Sequence, residues 1–359
     1  MSATRSTSAI IAFVRGEGDI AVVGAGIVGL AAAAALADAG ADVRCFEAAE
    51  PGSGQSAGRM RVFRHIHDRA DLVELVARAR RGWGEWSARA GMALIDPEGV
   101  LFASSEAEEL GTVLAEAGVE HRLVDEEQQR RLLPILAPPG GPALLDVHGG
   151  AIRVRESVAA LVSRLGKRLV REEVLAVDPE GGMETASGPW RFQRILLCAG
   201  AGTAALAGPL GVELPLEVRD HTRATFRIRE EHGWLACWMD RTNAYGATVY
   251  SGPIPALGGY AVGLATEDSD PAGSVVRVRE YVERALPGLD PEPFDTVTRP
   301  LTILPWHPDA FALWETGAVL AFAGHNLFKF APVLGALLAE ACRRGEIPPE
   351  LRPPDRPSV

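Results

Sequence analysis

Apolar residues recur along this chain with two periods, one near two residues and one of three to four, and the switches between them mark its elements. The first is a strand, Ile20 to Val23, followed by the turn Gly24-Ala25-Gly26-Ile27-Val28-Gly29 and an alanine-rich helix that runs to Asp38 and is ended by Gly40. A second strand, Asp42 to Glu47, completes a βαβ start. A Gly- and Ser-rich turn, Pro51 to Gly58, leads into the basic segment Arg59-Met60-Arg61-Val62-Phe63-Arg64-His65 and a helix opening near Asp71. In that helix Leu72, Leu75, Val76, Ala79, Trp83 and Trp86 share one face.

From Gly91 to about Gly150 the pattern breaks into short helices with Pro- and Gly-rich gaps, capped by Ser105 with Glu108 and by Asp125 with Gln128. This stretch reads as an insertion. The helix Val154 to Leu165 follows, and the strand Ile195 to Leu197, with Cys198-Ala199-Gly200-Ala201-Gly202 after it, returns to the first sheet. Between Glu213 and Leu301 strands dominate (Thr222 to Ile228, Thr248 to Tyr250, Tyr260 to Leu264) and helix signals are few. The strand Val319 to Ala323, the segment Gly324-His325-Asn326-Leu327-Phe328-Lys329-Phe330 and the helix Val333 to Cys342 close the pattern.

A length of 359 residues fits about two domains of roughly 150 residues each. The pattern divides them as a discontinuous nucleotide-binding domain (20–90, 148–212 and 302–345) and a β-rich substrate domain (91–147 and 213–301), with a leader at 1–19 and a tail at 346–359. The fold class expected is α/β, a Rossmann-type domain joined to a β-rich α+β domain. A net charge of −11 argues against nucleic acid and anionic lipid as partners. Cys45, Cys198, Cys237 and Cys342 lie far apart with no ligand spacing, which fits a reducing cytoplasm. The leader holds only the short apolar run Ala9 to Val14, and no run reaches the roughly 20 apolar residues of a membrane span.

Gly24, Gly26 and Gly29 form a GxGxxG between a predicted strand and a predicted helix. In that context Gly24 makes the turn, Gly26 admits a pyrophosphate to the backbone, and Gly29 lets helix and strand pack closely, while the helix start offers N–H groups to phosphate. Glu47, 18 residues after Gly29, stands where a carboxylate accepts ribose hydroxyls. The fingerprint alone leaves FAD and NAD equal. His65 and His67, two apart, have no third metal ligand nearby, and a metal site is not expected.

The chain resembles the D-amino-acid oxidase family of flavoproteins, and within it the monomeric sarcosine oxidases. The residues carrying this are the Ser-rich turn leading to Arg61, Arg64 and His65, the strand end Cys198 to Ala201, and Gly324-His325-Asn326-Leu327-Phe328-Lys329-Phe330, which has one extra residue between His325 and Phe328 relative to the family's pattern. The resemblance implies FAD. It carries cofactor contacts onto Gly24, Gly26, Ile27, Val28, Gly29, Glu47, Arg61, Val174, Ala199, Gly200, Gly324, His325, Asn326, Leu327, Phe328 and Lys329. It further implies removal of a hydride from the carbon beside an amine nitrogen, with Arg64 and Lys329 on the substrate's carboxylate and Tyr250 lining the nitrogen's cage. By residue type alone, Arg61 and Arg64 are equally surface cations with carboxylate partners, and Tyr250 a half-exposed strand tyrosine. Lys329, a cation at a helix start, calls for an anionic partner. The resemblance offers reduced flavin or a substrate carboxylate.

Three positions depart from the sarcosine oxidases. No cysteine lies between Cys237 and Cys342, where the family attaches its flavin, so FAD is expected to be non-covalent. The family's oxygen-activating lysine aligns with Ala261, which puts the oxidase half-reaction in question and leaves O2 or another acceptor open. A substrate-site histidine aligns with Ala265, and a tyrosine falls near Thr302. Smaller side chains there imply a substrate bulkier than sarcosine, which Trp306 and His307 either face or leave to others as a core tryptophan and a loop histidine. Competing readings are a dehydrogenase of the same fold, an oxidase of a non-amine substrate, a flavin monooxygenase and a non-catalytic FAD-binding subunit. Monomer and dimer stay equally open.

Overall fold

The computed structural model describes residues 16–246, 248–265 and 270–354, so the apolar run of the leader lies outside the described residues. The first of two eight-stranded sheets runs in the order Phe311–Thr316, Val319–Gly324, Gly188–Leu197, Gly16–Val23, Val43–Phe46 and Leu169–Val170. Gly182–Thr185 and Val174–Val177 extend it as a meander from Gly188–Leu197. Its centre is parallel, with Val22 opposite both Leu196 and Cys45, and Phe311–Thr316 is an antiparallel edge. Alternation assigns the two faces. Ile20 and Val22 point into a core shared with the helices Ile27–Asp38, Val154–Leu165 and Ala331–Arg344, whereas Ala21 and Val23 point into an apolar layer with Phe46, Val177 and Phe192. The opening strand starts at Gly16, earlier than the expected Ile20, because 16–18 pair in parallel with Trp190, Arg191 and Phe192. The chain after Gly345 also returns to the core: Leu351 is fully buried against it.

The second sheet runs Leu289–Ile303, Glu217–Ile228, Gly259–Leu264, Val249–Ile254, Cys237–Asp240, Val100–Ala103, Ala143–Asp146 and His121–Val124. Its last three strands come from the 91–147 stretch, which is therefore more extended than its capping pattern suggested. The Asp125–Gln128 capping box is present, but the preceding helix begins at Ala107 with no side-chain cap, and Ser104 rather than Ser105 accepts from Glu106 N–H. The stretch between Glu213 and Leu301 is strand-rich as expected, with one α-helix among its described residues that the sequence reading did not mark. Pro271–Ala285 is a helix, capped by the Asp270 carboxylate on the Ala272 and Gly273 N–H groups, and its Val278, Tyr281, Val282 and Ala285 lie on the sheet. Tyr281 accepts from Trp238 Nε1 at 2.8 Å, which settles both polar tips inside that core.

A two-stranded ribbon, Met60–Phe63 with Gly150–Arg153, joins the sheets. Met60 sits in a cluster with Cys237, Ile254 and Ala261 of the second sheet, whereas Phe63 sits in the helix-side core of the first. Arg61 is thereby fixed at the seam. Among the described residues no helix is long and apolar enough to cross a membrane.

The helices Ile27–Asp38 and Ala331–Arg344 touch through backbone: a Cβ on Gly335 would come within 2.7 Å of the Ala31 carbonyl carbon. Gly335→Val is expected to lower stability by about 1–3 kcal/mol, since overpacking there can be relieved only by separating the helices. Gly84, in the helix Ala70–Ala90, has open space around its Cβ position, so Gly84→Ala is expected to raise stability by up to about 1 kcal/mol. Urea midpoints of the two variants, moving in opposite directions, check both expectations.

Candidate functional site

The Gly24 turn is built for close backbone approach. Gly24 has φ +102°, and a Cβ on it would meet the Cys198 carbonyl oxygen at 2.5 Å, while one on Gly29 would meet the Gly24 oxygen at 1.9 Å. The Cys198–Gly202 segment therefore packs directly on the turn, as its placement in the sequence implied. Glu47 lies at its mouth, one carboxylate oxygen accepting the Ala25 N–H at 2.7 Å and the other the Ala49 N–H at 2.9 Å. Each oxygen keeps a lone pair for a hydroxyl. The Ser56 hydroxyl caps the helix from outside, accepting the Ile27 N–H at 2.9 Å, a contact the sequence reading missed. A turn closed to Cβ atoms, a helix start and a carboxylate beside it fit the ADP portion of FAD. Gly26 meets nothing closer than Ser56 Oγ at 3.4 Å, which leaves its face open to phosphate. Val174, by contrast, has its side chain in the apolar layer with Val23 and Phe46.

At the same carboxyl-terminal edge of the parallel strands, two strands along, Gly324 is held against Phe311, where a Cβ would come to 2.5 Å. Asn326 then takes a left-handed conformation (φ 55°) and starts a short turn, Leu327–Phe330. This turn brings Lys329 beside Asp309, a residue the sequence reading did not single out. Asp309 is 5% exposed and collects four donors: Arg64 Nη2 at 3.2 Å, Lys329 Nζ at 3.5 Å, His67 Nδ1 at 3.1 Å and Asn326 Nδ2 at 2.5 Å. Arg64 also donates to the Ile66 carbonyl. The anionic partner that Lys329 called for is thus supplied by the protein itself. Burial pushes the Asp309 carboxyl up, but Lys329, the His67 hydrogen bond and Arg64 outweigh it and hold it well below the usual range. Burial lowers Lys329 to about 8 against the pull of Asp309, and burial with the nearby Arg64 holds His67 neutral. With its Nδ1 proton on Asp309, His67 keeps Nε2 as a buried acceptor without a partner.

At the seam of the two sheets, Arg61, Arg223 and Arg299 line a small cavity with Thr225, Val297 and Ala261. Arg223 lies over the Tyr250 ring at 4.9 Å, and His221 stacks on the same ring at 5.3 Å. Tyr250 is half-buried beneath these groups, its ring filling the space over Gly263. Burial, reinforced by Arg299, Arg223 and Arg61, drives His221 down to about 2. Gln55 ties this region to the C-terminal segment: its Nε2 donates to Thr302 Oγ1 at 2.9 Å, which donates to the Gly324 carbonyl at 2.8 Å. Thr302 is therefore a buried strut.

Of the other expected residues, Ala261 reaches the cavity, but Ala265 is exposed at the strand end. Trp306 packs with Trp314, and His307 Nδ1 accepts the Asp309 N–H at 3.0 Å, so both serve the segment that carries Asp309. His65 and His67 pair with different carboxylates, Asp146 and Asp309.

His221 generates a pH dependence of stability. A neutral buried histidine whose folded pKa lies below 6.5 contributes fully above that value, and the contribution is lost as pH falls because the unfolded chain takes up the proton first. Between pH 7 and 5 the loss for His221 is about 2 kcal/mol. Urea midpoints at the two pH values are expected to show it, and His221→Gln is expected to flatten the difference by that amount.

A family model described as FAD dependent oxidoreductase (DAO) matches residues 19–341. No curated protein gives a match. Among solved structures, the fold is similar to that of NikD, "an unusual amino acid oxidase essential for nikkomycin biosynthesis", in its open form (TM-score 0.81, 21% identity, 92% of this chain and 95% of that one). It is also similar to L-proline dehydrogenase from P. horikoshii (0.81, 20%, 92% and 94%) and to iminodiacetate oxidase from Chelativorans sp. BNC1 (0.74, 19%, 93% and 98%). At these identities the likeness is one of fold.

Proposed function

The chain belongs to the DAO family of FAD-dependent oxidoreductases, and from that premise we propose that it oxidises the C–N bond of a secondary amine or amino acid bulkier than sarcosine, using non-covalently bound FAD. The observation that carries this reading is the surplus of buried and half-buried positive charge at the seam. Arg64 and Lys329 face one carboxylate, and Arg61, Arg223 and Arg299 stand nearby. Such a field disfavours an ammonium ion, so an amine entering it sheds its proton and presents the nitrogen lone pair that C–N oxidation requires. FAD, when bound by the Gly24 turn and Glu47, would supply the electron sink for a hydride from the carbon beside that nitrogen. Arg64 and Lys329, held by Asp309, and Tyr250, held under Arg223, orient the amine; the apolar ribbon and sheet around them exclude water. In this reading the first sheet carries the cofactor and the second the substrate. The similar structures, an amino acid oxidase, a proline dehydrogenase and an iminodiacetate oxidase, support a nitrogen-bearing substrate.

The non-covalent reading rests on the cysteines. Cys45, Cys237 and Cys342 are buried, and burial pushes all four thiols up, away from nucleophilic thiolate. A dehydrogenase is the second reading, favoured by the bare methyl of Ala261 at the cavity.

The purified protein is expected to show a flavin spectrum, to release all its FAD on acid precipitation, and to be bleached anaerobically by cyclic or N-substituted amino acids. Bleaching only by hydroxyl compounds would overturn the amine reading, and fast or slow recovery in air separates oxidase from dehydrogenase. Glu47→Ala is expected to weaken FAD about tenfold, roughly 1.4 kcal/mol, measured by fluorescence titration of the apoprotein.

A further inference from the structure

Register fixes which side chains of the second sheet share the side of Tyr250. Tyr250 pairs with Met239 and Met239 with Phe102, and Phe102, Met239 and Ile66 lie in one apolar cluster with Tyr250 packed against it. Asp240, between Met239 and Arg241, turns the other way and accepts from the Tyr281 hydroxyl on the helix side. Arg241 therefore points to the side of Met239. Its N–H donates to the Ala103 carbonyl at 2.8 Å, which carries the pairing with Val100–Ala103 one residue further, and its guanidinium lies over the Phe102 ring at 5.4 Å. Phe102 is buried, so the ring is a fixed shelf for that cation. From Tyr250 to Arg241 is one strand across and two residues along, roughly 8 Å between Cα positions at ordinary spacings.

Arg241 differs from the neighbouring cations in having no anion. Arg64 and Lys329 face Asp309, and exposed arginines elsewhere pair in the same way, Arg122 with Glu120 and Arg130 with Glu126. Among the described residues the exposed Arg241 guanidinium pairs with no carboxylate and donates to no acceptor. It is nonetheless close to the buried pair: burial lowers Arg64 and Lys329 first, against the pull of Asp309, and Arg241 lowers both further. A cation held in place beside two others favours an anion at its open side.

We propose that Arg241 determines specificity by engaging a second, distal carboxylate of the amine, so that the preferred substrate is an amino dicarboxylic acid or an N-carboxyalkyl amino acid. This role rests on the amine-oxidation reading above. A group reaching from Tyr250 to Arg241 crosses Met239 and Phe102, apolar side chains that suit a short alkyl chain between the nitrogen and that carboxylate. Arginine presents two parallel N–H groups to such a carboxylate, and at the water's edge a bidentate pair of this kind separates diacid from monoacid by about fivefold.

The test uses holoenzyme and two non-reacting probes of equal chain length, glutarate and valerate, titrated against the visible difference spectrum of bound FAD. Glutarate is expected to bind about fivefold more tightly than valerate, Arg241→Met to bring the ratio to about one, and Arg241→Lys to restore part of it. Arg122→Met, which removes the same charge at the edge strand of the same sheet, is expected to keep the wild-type ratio. Anaerobic bleaching by N-methylglutamate and N-methylnorvaline is the kinetic counterpart. There Arg241→Met is expected to remove the diacid's advantage in Kd and not in the limiting rate. Equal binding of glutarate and valerate in the wild type overturns the site, as does a ratio that survives Arg241→Met or falls equally in Arg122→Met. The probes are not oxidised, so the two readings fail separately. A glutarate preference that is lost in Arg241→Met, with no bleaching by either amine, leaves the carboxylate contact standing and removes the amine-oxidation reading.

Discussion

Asp309 is the carboxylate on which the seam between the two sheets depends. It joins the strand-linked turn at Asn326 and Lys329 to Arg64 and His67, which lie 245 and 242 residues earlier in the chain. Each of those groups would be costly to bury alone: a lone cation loses hydration worth several kcal/mol, and a lone carboxylate as much. Together they form a network whose members hold one another in place, with two cations against one anion and a neutral imidazole. The net positive remainder disfavours a further cation in contact with it.

That network is also what keeps the C-terminal turn in shape. Asn326 adopts a left-handed backbone, unusual for a residue other than glycine, and its side-chain amide on Asp309 is the compensation. Trp83 adds a second restraint by donating to the Lys329 carbonyl at 2.9 Å. The turn is thus fixed from the strand before it, the helix Ala70–Ala90 beside it and the segment carrying Asp309. In the proposed reading, a loop with three anchors presents a backbone and a lysine to the cofactor with little entropy left to lose.

The sequence made the nucleotide end legible because its signals are local: a strand, three glycines and a helix within ten residues, then Glu47 at the end of the next strand. Helices such as Val154–Leu165 were equally plain from their spacing. What escaped was long-range. Asp309 stands between a proline and an alanine and reads as a loop aspartate until the fold brings Arg64 to it. Arg223 and Arg299 lie on strands with alternating character, where an arginine normally faces water, and only the pairing of those strands beside the Met60–Phe63 ribbon turns them inward. The helix Pro271–Ala285 did carry its own signal, Asp270 and Pro271 followed by apolar residues three and four apart, which the strand-rich surroundings obscured.

The order of the first sheet has a consequence for how the chain is made. Its central strand, Gly16–Val23, pairs with Gly188–Leu197, and that strand in turn pairs with Val319–Gly324. The helix Ala331–Arg344 that covers the alanine-rich first helix emerges about 300 residues after it. During synthesis the most apolar helix of the molecule therefore waits, without its packing partner, for some 300 residues to be added, or about 15–60 s at typical elongation rates. A nascent chain in that condition is a natural client for a chaperone, and truncation near the C-terminus should leave an aggregating product instead of a smaller folded one.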